Sequence, residues 1–304
     1  MQYYVAWTNS DPIYQHYLPY VRVLVSPPNV SRSWRARDWP SLPSSLMIDS
    51  GAYQPAQKAP WLTPLRVWER QCEMIMSLTI PIRLCHLDVP LFGAKTLGEL
   101  ERRVVHNLEN ARWLISRLAT ISLPANVQIV GVIQGYDVST IYNAARVLAD
   151  MGYSSFALGS LARLVTANRD EFYRRVEAAL EAVGANLHIF GVSSVEVLTK
   201  LARLGVASAD SSAPAQEAWR GGLFYSNPLR RYKLASPHFS EWRRNYTFAE
   251  ILTQPLPCDC PVCREDSSRL LNPEGKSYVR LRAIHNCYHL YQELAAIASD
   301  NDPA

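Results

Sequence analysis

The strongest constraint on how this chain can fold is an alternation of short apolar, β-branched runs with longer segments of helical spacing. The runs are YYVAW at 3–7, VRVLV at 21–25, LMID at 46–49, RLCHLDV at 83–89, VQIVGVIQG at 127–135, SFALGS at 155–160, LHIFGV at 187–192 and ASAD at 207–210. Helical periodicity falls between the later ones, over residues 64–79, 95–119, 138–151, 168–184 and 194–204. The fourth of these helices starts after Asn168, a good N-cap, and Gly184 sits just past its end. Strands that alternate with helices imply βαβ units and a parallel sheet. Eight such runs favour an α/β fold of the (β/α)8 TIM type over an open sheet, with an N-terminal hairpin as the alternative for one or two of them. After about residue 211 the alternation stops, and Pro, Arg and Cys become frequent. The chain is therefore expected to divide into a barrel at 1–210 and a C-terminal region at 211–304, an appended subdomain closed by a helix at 277–298.

With 304 residues, 48% hydrophobic and 19% charged, the chain has the composition of a globular protein with a large core. It contains no run of 18 apolar residues, and MQYYVAWTNSDP lacks a basic start followed by an apolar block. No membrane contact and no secretory leader are expected, which predicts a cytoplasmic protein. A net charge of +4 is too small to indicate nucleic acid, but its distribution is uneven. Arg220, Arg230, Arg231, Lys233, Arg243 and Arg244 fall in one stretch with a single Glu, interleaved with Phe224, Tyr225, Tyr232, Phe239 and Trp242. Cations pair with phosphates and aromatic faces stack on unpaired bases, although a basic surface loop with its aromatics packed inward has the same composition.

Of six cysteines, Cys72, Cys85 and Cys287 are scattered and read as small buried apolar residues. Cys258, Cys260 and Cys263 form a cluster, which in a cytoplasmic chain points to a metal rather than to disulfides.

The predicted strands end on polar residues: Asp49, Asp88, Gln134, Ser160 and Asp210. In a (β/α)8 barrel the active site lies at these C-terminal strand ends. Carboxylates ending apolar strands cost desolvation energy unless something compensates, so three aspartates at one mouth form a candidate site. Two carboxylates suit glycoside chemistry, one attacking the sugar carbon and one moving protons. Gln134 offers both a donor and an acceptor to a purine edge.

Several motifs, in order, resemble those of the tRNA-guanine transglycosylases. DSGAYQ at 49–54 is similar to their DSGG-aromatic-Gln, IQG at 133–135 to their (V/I)QG, and ALGSLA at 157–162 to their IGGLA. FGVSSVEVL at 190–198 resembles MGVGTPEDL, ASADSSAP at 207–214 the stretch with the nucleophilic aspartate, and CDCPVC at 258–263 followed by HN at 285–286 the zinc ligands. The resemblance implies Asp210 as nucleophile and Asp49 as general acid and base. Tyr53 would stack on the bound base, whose edge Asp88, Gln134, Gly159, Ser160 and Leu161 would read. It further implies that Cys258, Cys260, Cys263 and His285 bind structural zinc, with His289 as the alternative fourth ligand. The partners implied are a nucleic acid and a guanine or 7-deazaguanine base, and a homodimer is possible as in the tRNA enzymes. His86, His188 and His238 read as core or surface residues.

Departures from the pattern carry information. Ser160 replaces the second glycine of GGLA, Val165 stands where the family has an acid that reads an aminomethyl group, and Pro214-Ala215-Gln216 replaces P-T-R. Gly159-Ser160, HIFGV at 188–192 and SADS at 208–211 are closer to the DNA-deazapurine transglycosylases, which favours DNA over tRNA. A non-catalytic partner subunit, or a hydrolase that releases a base, are the competing readings.

Overall fold

Runs that are apolar on both faces suit parallel strands covered on both sides, and here they close on one another. A computed structural model describes residues 1–53, 62–235, 248–272 and 276–300, with backbone alone at 276 and 298–300. In chain order its elements begin with β1 (Gln2–Trp7), α1 (Tyr14–Tyr17), β2 (Arg22–Val25), β3 (Ser45–Ile48), α2 (Pro64–Ile75), β4 (Ile82–Cys85), α3 (Leu97–Leu118) and β5 (Val127–Ile133). They continue with α4 (Val138–Asp150), β6 (Phe156–Leu158), α5 (Leu164–Ala167), α6 (Arg169–Val183), β7 (Leu187–Ile189), α7 (Val195–Arg203), β8 (Ser208–Ser211) and α8 (Ala213–Trp219). β1 to β8 form a closed barrel in sequence order, and β1 pairs in parallel with both β2 and β8. The N-terminal runs are thus staves of the barrel and not a flanking hairpin.

The helices start where the caps dictate. Asp137 and Thr140 build a reciprocal capping box on α4, and Asn168 accepts the Glu171 N–H at 3.1 Å to open α6. Gly184, at φ +72°, follows the last residue of α6, where a left-handed residue is cheapest as glycine. Two apolar layers result. Tyr4, Leu24, Met47, Cys85, Val130, Val132 and Ala157 fill the bore, and the larger outer core lies between the strands and their helices.

Beyond α8 the chain forms β9 (Gly222–Tyr225), β10 (Arg230–Leu234) and β11 (Ile251–Leu252) in one small sheet, then α9 (Pro261–Asp266) and α10 (Lys276–Asp300). α10 does more than close this region. α1 is one turn long and leaves the outside of the first strands bare; Tyr291 on α10 covers them, its hydroxyl donating to the Tyr3 carbonyl at 2.6 Å and accepting the Arg22 N–H at 3.0 Å. On its other side Asn286, fully buried, accepts the Phe224 N–H at 2.8 Å and donates to the carbonyls of Gly222 and Pro214 at 3.1 and 3.2 Å. Among the described residues no helix is long and apolar enough to cross a membrane.

Candidate active site and metal centre

Because all eight strands run the same way, their C-terminal ends share one mouth, and every strand-end residue singled out from the sequence lies there. Asp49 follows β3 directly; Ser26 donates to its Oδ2 and the Gly51 N–H to its Oδ1 at 2.8 Å. Burial pushes its carboxyl from 3.8 up to about 7, with Asp88 and Asp210 adding repulsion. Asp88 is raised as well, by burial, against the opposing effect of two donors. These are Ser50 Oγ at 2.5 Å and Gln134 Nε2 at 2.7 Å.

Gln134 is held so that one end is satisfied and the other is not. Its Nε2 is committed to Asp88, while its buried Oε1 has no partner among the described residues. The amide lies against Gly159 so closely that a Cβ there would stand 2.3 Å from Nε2, so that glycine leaves the Gln134 amide the room it occupies. Ser160 takes a left-handed backbone (φ +60°), a conformation that favours glycine, and its Oγ accepts the Leu91 N–H at 2.9 Å. Leu161 is buried beneath it. Tyr53 lies on the rim, 74% exposed, its ring 4.8 Å from that of Phe92, with the Arg163 guanidinium 6.0 Å over the other ring. Residues 54–61, which include Gln54 of the DSGAYQ motif, lie outside the described residues.

Asp210, near the end of β8, is only 6% exposed. Its Oδ1 accepts the Gly191 N–H at 3.0 Å and contacts His188 Nε2 at 3.2 Å. His188 is buried, as a core residue would be, and it also touches Asp210, a contact that the sequence reading did not assign to it. The signal was available in the period-2 parity of the strands, which turns His188, Ser208 and Asp210 all toward the bore. His86 does behave as a core residue, accepting the Val132 N–H at 3.1 Å, with its pKa lowered to about 4 by burial. His238 lies outside the described residues.

Cys258, Cys260, Cys263 and His285 have their ligand atoms within 4.8 Å of one another. The three sulfurs stand 3.7, 3.3 and 3.6 Å from His285 Nδ1. A tetrahedral ion with ordinary thiolate and imidazole bond lengths needs sulfur–nitrogen separations of about 3.6 Å, so the donor set fits a metal. Cys260 also opens α9, its Sγ accepting the Cys263 N–H at 3.3 Å. His289 lies beside His285, with ring centroids 4.5 Å apart, and its Nδ1 accepts the Ser226 N–H at 3.1 Å; it is not one of the four clustered ligand residues.

The basic stretch is divided. Arg220 and Arg231 approach the buried Glu217 at 3.5 and 3.6 Å. Arg230 is exposed and Lys233 half-buried, and Arg230, Arg231, Glu217, Ser193 and Ser194 help line a cavity of about 360 Å³. Phe224 and Tyr225 pack inward and offer no face to a base. Arg243, Arg244, Phe239 and Trp242 lie outside the described residues.

A family model described as queuine tRNA-ribosyltransferase matches residues 93–299. A DNA-guanine transglycosylase of Salmonella montevideo is 27% identical over 130 residues, 42% of this chain and 30% of that protein. A queuine tRNA-ribosyltransferase of Actinobacillus pleuropneumoniae serotype 3 (strain JL03) is 27% identical over 176 residues, 55% of this chain and 42% of its own length. One from Histophilus somni (strain 129Pt) is 26% identical over 178 residues, 55% and 43% respectively. The matched stretches thus span less than half the length of each relative.

Proposed function

The chain belongs to the queuine tRNA-ribosyltransferase family, and from that premise we propose that it exchanges guanine in a nucleic acid for a 7-deazaguanine base. The observation that carries the reading is the pairing of a carboxyl held near neutrality, Asp49, with the hydrogen-bonded carboxylate of Asp210 at the same mouth. Asp210 attacks C1′ of the sugar, and the C1′–N9 bond breaks with its electron pair leaving on guanine, which takes a proton from Asp49. The incoming base attacks C1′ through N9, gives its proton to Asp49, and expels Asp210 as carboxylate. Each glycosidic bond replaces another, so no nucleotide energy source is needed. A pKa of about 7 lets one carboxyl serve in both directions.

Tyr53 covers the base from the rim, Asp88 and Gln134 read its edge, with the unpartnered Gln134 Oε1 as acceptor, and the backbone at Gly159, Ser160 and Leu161 completes the pocket. Val165 in place of an acid suits a neutral substituent on the base. Cys258, Cys260, Cys263 and His285 hold zinc as a structural ion, four protein ligands leaving no position for chemistry. Arg220, Arg230, Arg231 and Lys233, with Arg243 and Arg244, hold the backbone. DNA is favoured by Gly159-Ser160, HIFGV at 188–192 and SADS at 208–211 and by the absence of P-T-R after the nucleophile; exchange on tRNA is the second reading, supported by the two tRNA-ribosyltransferase relatives.

The test incubates the protein with labelled guanine or 7-cyano-7-deazaguanine and either duplex DNA or tRNA. Incorporation into DNA alone is expected; incorporation into tRNA alone overturns the choice of polynucleotide. No exchange and no denaturation-resistant adduct with either would identify a non-catalytic partner subunit. Asp210→Ala is expected to abolish both exchange and adduct, and a variant that still exchanges base removes Asp210 as nucleophile.

A further inference from the structure

The bore of the barrel contains a chain of polar contacts that starts far below the mouth. Arg83, on β4, donates from Nη1 to Ser208 Oγ at 3.3 Å; Ser208 Oγ is 2.9 Å from His188 Nδ1; and His188 Nε2 is 3.2 Å from Asp210 Oδ1. Ser208 and His188 are fully buried, and the imidazole is wedged between Tyr4 and Phe190, 5.8 and 4.8 Å away by ring centroids. Arg83 has no carboxylate within ion-pair distance among the described residues.

The direction of this chain follows from its first member. A guanidinium only donates, so Ser208 Oγ accepts from Arg83 and has its own hydrogen left to give. The partner in reach is His188 Nδ1, which must then be bare, placing the ring proton on Nε2 facing Asp210. The opposite tautomer would set a bare nitrogen against a carboxylate oxygen. Asp210 Oδ1 therefore receives two N–H groups, from His188 and from Gly191, while Oδ2 takes no hydrogen bond among the described residues.

We propose that His188 is the positioning residue of the nucleophile: an Nε2–H tautomer, set by Arg83 through Ser208, pins Asp210 Oδ1 against the Gly191 N–H and leaves Oδ2 as the attacking oxygen. This rests on the reading of Asp210 as nucleophile. The pinning matters because the terminal torsion of an aspartate is soft, and a carboxylate free to turn would share its charge between two orientations. Gly191 alone fixes one contact; the second donor removes the rotation.

The test compares His188→Phe, His188→Gln and Ser208→Ala with the wild-type chain, measuring labelled-guanine exchange into DNA and into tRNA. His188→Phe is expected to lower kcat by about 100-fold, the scale of a misplaced reacting group, with KM for the polynucleotide unchanged. His188→Gln, whose amide N–H can replace Nε2–H, restores most of that rate. Ser208→Ala, which frees the tautomer without touching Asp210, lowers kcat even if the Phe variant does not fold. Nitrogen NMR of the wild-type ring should show Nδ1 bare and Nε2 protonated, whether or not the protein exchanges base. A His188→Phe variant with wild-type kcat, a Gln variant no better than Phe, or a ring protonated at Nδ1 overturns the proposal. Retained exchange by Asp210→Ala would instead remove the nucleophile reading, so the two failures are distinct.

Discussion

At the scale of single residues, the mouth is a place where burial pushes carboxyl groups upward, at Asp49 and at Asp88. Asp49 has two donors, yet burial and the neighbouring Asp88 and Asp210 leave it with a pKa of about 7 instead of 3.8. A raised folded pKa means that the folded chain keeps a proton which the unfolded chain releases. The stability Asp49 contributes is then complete below about pH 4 and is lost as the pH rises through about 7. Asn carries no such proton, and its amide can still face Ser26 and Gly51. Asp49→Asn should match the wild type near pH 4 and exceed it by about 2 kcal/mol at pH 8, while losing base exchange. Thermal denaturation at the two pH values checks this, and equal stabilities at both would mean that Asp49 titrates normally. Gly159 is a second such point. Gly159→Ala should keep the fold but push the Gln134 amide off Asp88, raising the KM or Kd for the base by about tenfold with little change in melting temperature. A variant that binds guanine as tightly as the wild type removes Gln134 from the base-reading set.

At the scale of elements, α10 is the piece with most demands on it. Its residues Leu281 to Cys287 are all buried, in succession, because the barrel lies on one side and β9 with the cysteine cluster on the other. A helix covered all round has no amphipathic stripe, which is why its span was legible in the sequence but its role over β1 and β2 was not. Arg282 illustrates the cost: it is fully buried and donates to the carbonyls of Ala218, Leu270 and Asn272 at 3.2, 3.1 and 2.8 Å, tying the ends of α8 and the preceding loop to α10. The cysteine and histidine cluster sits at the same junction, since His285 belongs to α10 and Cys260 caps α9. Chelation or Cys260→Ala should therefore lower stability by more than about 3 kcal/mol and loosen α9 and α10 together, as structural zinc contributes folding energy directly. Circular dichroism and zinc content measure this; unchanged melting in a zinc-free protein would refute a structural ion.

At the scale of the whole molecule, the parallel barrel gathers the charge on one face and the appended sheet extends the basic stretch beside it. Arg220 and Arg231 are partly neutralised by Glu217, so Arg230, exposed on the same hairpin, is the better candidate for the proposed phosphate contact. Arg230→Ala should weaken polynucleotide binding without regard to base sequence and reduce the slope of log K against log salt by about 0.9, as for one lost phosphate contact. An unchanged slope in fluorescence anisotropy titrations would place the backbone elsewhere.

What the amino-acid order determined by itself was whatever depends on residues close along the chain. The eight strand runs, the Asn168 cap, the C-x-C-x2-C cluster and the polar strand ends at Asp49, Asp88, Gln134 and Asp210 could all be read from spacing, because period and capping are local properties. Closure of the barrel decided the rest. It set β1 against β8, so that Asp210 meets donors from β7, and it brought Arg83 on β4 into contact with Ser208 across the bore. Those contacts join residues as far apart in the chain as Tyr4 and Asp210, and no local pattern encodes them. Inward parity marks the residues eligible to meet in the bore; only the closed sheet decides which ones do, because register and stagger set who faces whom.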